Sequence, residues 1–151
     1  MLGRLFARAI GFPAAGSDIP VSVVMHADRD GETWTRTFGT TTFRSRLGPL
    51  AGCRACVTER FGLVTFILAL TATPAGLDMA IVSGRIGPLP LPRFLLPHSH
   101  AIERVDAAGR FRFDVPIVLP GLGRLTHYRG WLVPTEAIDV ESAGLTTVAA
   151  R

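Results

Sequence analysis

The sequence predicts an all-β domain with a minor helical part: a strongly curved antiparallel meander or barrel of about eight or nine short strands, with a short N-terminal helix and a proline-rich lid. Three observations carry this expectation. Apolar and polar residues alternate with a period of two in run after run, each run ends in a cluster of Gly, Pro or Asp, and only one stretch has helical spacing. The segment from Gly109 to Pro134 shows the pattern most plainly. Phe111, Phe113, Val115, Ile117 and Leu119 are apolar on one parity, while Arg110, Arg112, Asp114 and Pro116 stand on the other, which describes a strand with one buried face. Pro120-Gly121 suits the centre of a type II turn, proline presetting the first φ and glycine accepting the positive second one. The chain then returns through Tyr128 and Trp131, aromatics whose polar tips want a partner once their bodies are buried.

The remaining elements follow in order. Residues 1–16 read as an amphipathic helix and linker, with Leu2, Leu5, Phe6, Ala9 and Ile10 at helical spacing and Arg4 and Arg8 opposite. Residues 17–135 read as a single β domain. Val21 to Ala27 is rich in strand formers, and Asp28-Arg29-Asp30-Gly31 turns it back. Glu32 to Phe38 alternates Trp34, Arg36 and Phe38 with Thr33, Thr35 and Thr37. Gly39-Thr40 leads into Thr41 to Leu47, which Gly48-Pro49 closes. Cys53 to Phe61 alternates again, and after Gly62 the run Leu63 to Thr73 is dense in large apolar side chains. Pro74-Ala75-Gly76 turns into Leu77 to Arg85. Ile86 to Pro97 carries Pro88, Pro90, Pro92 and Pro97 among leucines, so it cannot continue a central strand and should fold over an end of the sheet as a lid or plug. Ser99 to Val105 resumes strand character, and Asp106 to Gly109 turns into the hairpin already described. Residues 136–151 lack periodicity and read as a flexible tail. A meander of this length with one apolar face must close or curl, because an open sheet would expose both its edges and that face.

Composition narrows the function classes. At 151 residues one domain with a core of its own is expected, without need of a disulfide or metal staple. The 16 basic residues outnumber 12 acidic ones, and all 16 are arginine, as in a chain encoded by GC-rich DNA. The net charge of +4 is a weak steering field when spread over the whole chain. No basic run interleaves with aromatics, which argues against nucleic acid as a partner. Arg8 interrupts the apolar core that a secretory signal needs. The uncharged run Phe61 to Leu77 is too rich in Thr, Pro and Gly for a bilayer span. A cytoplasmic location is expected, with peripheral membrane or membrane-protein contact through the N-terminal helix as the alternative.

Several constellations weigh against specific chemistries. Cys53-Arg54-Ala55-Cys56 lies in an alternating strand, which puts positions three apart on opposite faces, and no second pair completes a zinc ribbon. His98-Ser99-His100 offers a half-site that His26 or His127 would have to complete, but polar residues in a turn after Pro97 explain it as well. No nucleophile elbow and no phosphate-cradling glycine loop is present. No cofactor and no metal is expected. The charges on otherwise apolar strand faces are more informative. Arg36 shares a face with Trp34 and Phe38, Glu59 with Val57 and Phe61, and Glu103 with Ala101 and Val105. If those faces point inward, the charges must pair with each other or bind something polar; an internal Arg–Glu pair and an arginine gripping an anionic head group are both open.

Trp34 to Phe38-Gly39, Phe43-Arg44-Ser45-Arg46, Glu59-Arg60-Phe61-Gly62, Gly87-Pro88-Leu89-Pro90-Leu91-Pro92, Arg110-Phe111-Arg112-Phe113-Asp114-Val115 and Tyr128-Arg129-Gly130-Trp131-Leu132 together resemble the bacterial domain of unknown function numbered 4166, in order from about Asp18 to Val133. The resemblance supplies no activity, cofactor or catalytic residue. It implies company: such domains are similar to ones found carboxy-terminal to DoxX-like membrane segments or dehydrogenase-like domains, and the present chain would be a stand-alone version. The leading functional expectation is a non-enzymatic module holding a lipid-like or other hydrophobic small molecule inside a curved sheet, with Trp34, Arg36, Phe38, Phe43, Glu59, Glu103, Phe111, Phe113, Tyr128, Arg129 and Trp131 as candidate ligand-binding residues and no catalytic residue. The alternatives are a small cofactor-free isomerase or cyclase using Glu59, Glu103 or Asp114 as a proton carrier, recognisable by one cavity carboxylate of raised pKa without an arginine partner, and an interaction module that docks on a membrane protein.

Overall fold

Short turns between alternating runs leave each strand no partner nearer than the next one in the chain, and the structure follows that logic almost throughout. The computed structural model describes residues 16–134 and, for the backbone only, 145–150. The strands are β1 (Val21–Asp28), β2 (Gly31–Phe38), β3 (Thr41–Leu50), β4 (Cys53–Phe61), β5 (Val64–Thr73), β6 (Gly76–Ile86), the two-residue spur β7 (Leu89–Pro90), β8 (His98–Val105), β9 (Phe111–Leu119), β10 (Gly123–Pro134) and β11 (Leu145–Ala150). β1 to β6 pair in series, β6 then pairs with β8, β8 with β9 and β9 with β10, so nine antiparallel strands curl nearly into a closed barrel. The chain is all-β, with one 3₁₀ turn at Arg93–Leu95 among the described residues. The helix expected at the start of residues 1–16, from Leu2 to Phe12, lies outside the described residues.

The gap between β1 and β10 is bridged by β11. Val21 pairs with Ala150 and His26 with Leu145 on one side, and Val133 pairs with Ala149 on the other. Within the stretch 136–151, residues 145–150 pair as a strand along the backbone edges of β1 and β10.

Local chemistry sets the turns. Leu122 N–H donates to the Leu119 carbonyl at 3.1 Å, and Gly121 between them has φ +76°, the type II geometry that Pro120-Gly121 encodes. Asp28 accepts the Asp30 N–H at 2.9 Å and Asp106 accepts those of Ala108 and Arg110, both being side-chain turn caps. Because strands alternate in direction, turns fall at two ends. The β2–β3, β4–β5 and β9–β10 turns and the segment 87–97 share one end, called here the lid end; the β1–β2, β3–β4, β5–β6 and β8–β9 turns share the other.

The proline-rich segment does fold over its end of the barrel. Leu91 N–H donates to the Gly84 carbonyl, and Leu96 is buried with Phe66 and Leu68, with Leu91 packed against them. Gly84 makes the room, since a Cβ there would come within 2.9 Å of Phe66 and 3.1 Å of Leu96. A second cluster, Val23 with Leu132, sits at the seam among Met25, Trp34, Phe111 and Phe113. Aromatics line the inside, whereas Thr33, Thr35, Arg44, His100, Arg112 and His127 share the outward parity. A membrane-spanning barrel has the reverse alternation, and no helix among the described residues is long and apolar enough to cross a membrane.

Candidate functional site

The strand registers decide which candidate side chains meet. Val23 pairs with Arg36 and Met25 with Trp34; Arg36 pairs with Phe43 and Trp34 with Ser45; Leu47 pairs with Glu59. Val23 and Leu132 are core, so this parity faces inward, and it carries Trp34, Arg36, Phe38, Phe43, Ser45 and Glu59. On the far wall Leu77 pairs with Glu103, Glu103 with Phe113 and Val105 with Phe111, and Val115 with Tyr128. Nine of the eleven candidate residues therefore share the interior.

Arg129 and Trp131 do not. They pair with Asp114 and Arg112, on the opposite parity from Phe111 and Phe113, so both project from the outer face. Tyr128 and Trp131 are three apart and cannot share a face of one strand; Tyr128 took the interior. Trp131 instead lies under the Arg110 guanidinium, 5.3 Å from ring centroid to Cζ.

Inside the barrel the first feature is a three-membered polar group. Arg36 Nη1 donates to Ser45 Oγ at 2.6 Å, Arg36 Nη2 donates to Glu59 Oε1 at 3.1 Å, and Ser45 Oγ donates to the same Glu59 oxygen at 2.7 Å. The guanidinium also lies 4.7 Å from the Trp34 ring centroid and 5.7 Å from that of Phe43, so its charge is met by one carboxylate and two π faces. The expected internal Arg–Glu pair is thus formed. Ser45, which sequence reasoning passed over, is the hinge of the group: it is buried and its parity opposite Trp34 was the available signal.

Glu103 on the other wall is the second feature. Its carboxylate makes no hydrogen bond and no ion pair among the described residues. Burial pushes its pKa up from 4.5 to about 7, with Arg36 acting in the lowering direction and Glu59 in the raising one. Burial likewise drives the Tyr128 phenol well above its ordinary range, against the lowering influence of Arg36. Arg36, Glu59, Glu103 and Tyr128 therefore feel one another across the interior, although they come from β2, β4, β8 and β10.

The third feature is a file of rings. Phe113 and Tyr128 have centroids 6.2 Å apart, Tyr128 meets Phe38 edge-on at 5.7 Å, Phe38 stacks on Phe43 at 5.8 Å, Phe43 approaches Phe61 at 6.4 Å, and Phe61 meets Phe66 edge-on at 6.3 Å. The file crosses from β9 through β10, β2, β3 and β4 to β5, with Arg36 beside its middle. An apolar, aromatic interior with one polar centre can orient an amphiphile.

Other candidates resolve differently. Cys53 and Cys56 form a disulfide with Cα atoms 5.4 Å apart, against the expectation that they lie on opposite faces. The pairing jumps from Pro49↔Val57 to Leu50↔Cys53, and that bulge breaks the alternation on which the expectation rested. The disulfide edges a recess of about 720 Å³ at the end opposite the lid, lined by Glu32, Leu47, Pro49, Leu50 and Val57 among others, and containing none of Arg36, Ser45, Glu59 or Glu103. His98 and His100 stand on the outside of β8, His100 Nε2 lying 3.5 Å from Asp78, and His127 Nε2 is 2.7 Å from Asp114 Oδ1 on the outside of β9 and β10. Asp114, offered as a proton carrier, is thus an outer-face residue. No group of three metal-ligating side chains occurs among the described residues.

Comparison with known proteins yields one match: a family described as Domain of unknown function (DUF4166) matches over residues 1–132. No curated protein and no solved structure matches the chain.

Proposed function

Since the chain belongs to the DUF4166 family, whose description names no activity, we propose from its own geometry that the barrel holds one amphiphilic small molecule. The polar part of the ligand meets Arg36, Ser45, Glu59 and Glu103, and its apolar part lies along the file of rings from Phe113 to Phe66. The observation that carries this reading is accessibility inside the barrel. The Arg36 and Glu59 side chains point inward yet keep 15% and 14% of their surface open, and no large side chain among the described residues is completely buried. A barrel packed solid to protein density would seal its central charges, and a small barrel can hold one small ligand. Arg36 suits an anionic or strongly polar head group because its fork of donors has more capacity than Ser45 and one Glu59 oxygen use.

Native mass spectrometry on gently purified protein, followed by organic extraction, tests the reading. A reproducible bound mass that is lost on delipidation, and absent from Arg36→Gln, supports it. Apo protein from several expression hosts, together with no uptake of fatty acids, lysolipids or sterols, removes it.

A second reading, a proton-transferring enzyme, is favoured by one specific observation. Glu103 is a buried carboxylate of raised pKa that forms no ion pair among the described residues, and a pKa near operating pH is what general acid–base work needs. The carbonyl stretch of protonated Glu103, followed by difference infrared spectroscopy from pH 5 to pH 9 in the extracted-ligand complex and in Glu103→Gln, separates the two. A carrier leaves the extracted molecule chemically unchanged and free of solvent deuterium. An enzyme exchanges one of its carbon-bound protons in D₂O, and Glu103→Gln abolishes the exchange.

A further inference from the structure

The two ends of the barrel differ in a way that interior binding does not explain. At the lid end three large apolar side chains on separate turns stand almost free of the protein: Leu63 at 76% exposure, Leu89 at 69% and Phe94 at 69%. The β4–β5 turn and the lid are neighbours, since Gly87 N–H donates to the Leu63 carbonyl at 2.8 Å. Exposed single hydrophobics are ordinary, but a cluster of large ones at one pole of a molecule marks a contact surface.

Charge sharpens the contrast. Arg85, Arg93 and Arg124 are exposed around the same pole, and none of them joins an ion pair among the described residues. Residues 60–77, 79–102 and 115–134, which include the β4–β5 turn, the lid and the β9–β10 turn, contain no Asp or Glu at all. The exceptions on this half are Asp18, just before β1, and Glu59, which points inward and is held by Arg36. The acids collect instead at the other end, in Asp28, Asp30, Glu32 and Asp106. The chain also enters β1 at the lid end, through Pro20, whose carbonyl accepts the Gly39 N–H. The sequence leading to it carries Leu2, Leu5, Phe6, Arg4 and Arg8, the same apolar and cationic mixture.

We propose that the lid end docks on an anionic lipid surface, Leu63, Leu89 and Phe94 entering the interface while Arg85, Arg93 and Arg124 meet the head groups. The mixture of exposed apolar tips and arginines favours this occupant. The apolar tips come from the β4–β5 turn, the start of β7 and the 3₁₀ turn at Arg93–Leu95, with exposed arginines set among them. A fluid bilayer accommodates scattered tips, whereas a protein partner would need a contiguous complementary surface. Unpaired arginines within reach of an anionic leaflet add attraction that fades with salt. This inference does not depend on whether the barrel carries a ligand.

Flotation of the full-length protein with vesicles tests it, using phosphatidylcholine alone and phosphatidylcholine mixed with phosphatidylglycerol. Binding is expected to the mixed vesicles only, and to weaken as salt is raised. Arg93→Gln should lower the vesicle affinity roughly five-fold, and Phe94→Ser about ten-fold or more. Both are surface positions, so folding is checked simply by circular dichroism. Val105, equally exposed at 69% but at the opposite end, is the control, and Val105→Ser should leave binding unchanged. No flotation with mixed vesicles, or an equal loss with Val105→Ser, overturns the proposal. Concentration-dependent dimers in light scattering that Phe94→Ser abolishes would overturn it too, by giving the rim to a second copy of the chain.

Discussion

Glu59 and Glu103 face the interior of one barrel from β4 and β8 and have met opposite fates. Each faces inward among aromatic and aliphatic neighbours. Glu59 finds Arg36 at 3.1 Å and Ser45 at 2.7 Å, so its charge is matched where it sits. Glu103 finds neither, and burial holds its proton on up to about pH 7. Position on a strand face decides that a carboxylate is desolvated; only a partner brought by the neighbouring registers decides whether it stays ionised.

The largest effect should come from making Glu59 resemble Glu103. Arg36→Met removes the partner and leaves a desolvated carboxylate, a change expected to cost about 3 to 5 kcal/mol in urea unfolding at pH 8. The double variant Arg36→Met/Glu59→Leu should be more stable than the single one, because no charge is stranded. A single variant within experimental error of the parent would mean that the pair contributes nothing.

The next effect sharpens the comparison from the other side. Glu103 has its pKa raised from 4.5 to about 7, so between those values the folded chain keeps a proton that the unfolded chain has released. Stability from this group is therefore full below about pH 4.5 and declines as pH rises through 7, by no more than about 3 kcal/mol. Thermal melts from pH 5 to pH 8 should show the decline in the parent protein and a flatter profile in Glu103→Gln. Identical slopes in the two would place the titration elsewhere.

The smallest effect concerns carboxylates in water. Asp28 is held well below its usual range first by its hydrogen bonds with Arg46, with the Asp30 N–H adding to them. Asp106 is held low first by Arg112, with Arg110 and two turn amides helping. A lowered pKa reverses the sign: these contributions exist above the ordinary aspartate value and disappear as pH falls below about 4. Asp28→Asn should flatten the acid limb of the stability profile by removing a contribution at pH 7 that is small, since exposed pairs are screened. A large loss at neutral pH would show that the β1–β2 turn, rather than the charge, depends on Asp28.

Much of this was written in local sequence. Period-two alternation grouped Arg36, Glu59 and Glu103 with apolar neighbours on one face of each strand, and Asp28 to Gly31 and Pro120-Gly121 named their turns, because such signals involve residues a few positions apart. That Arg36 would reach Glu59 depends on two successive registers, β2 with β3 and β3 with β4, and no local pattern encodes a register. The disulfide escaped because the bulge after Pro49 suspends alternation where Cys53 begins. Trp131 was misplaced by residue type over parity, its ring being assigned to the core although Tyr128, three positions away, had stronger claim to it. Strand 145–150 left no trace in periodicity because its place is set by two backbone edges that want hydrogen bonds.

That strand also sets a timetable. Val21 pairs with Ala150, so the seam joins chain segments separated by most of the sequence, the kind of contact that slows folding because a long loop must be closed first. During synthesis β1 and β2 can pair as soon as they emerge, but the free edge of β1 waits until residues 145–150 are released. Over that interval it is an open template for other chains. Dilution, rapid completion of the chain, or a helper that covers β1 should each raise the yield of folded protein.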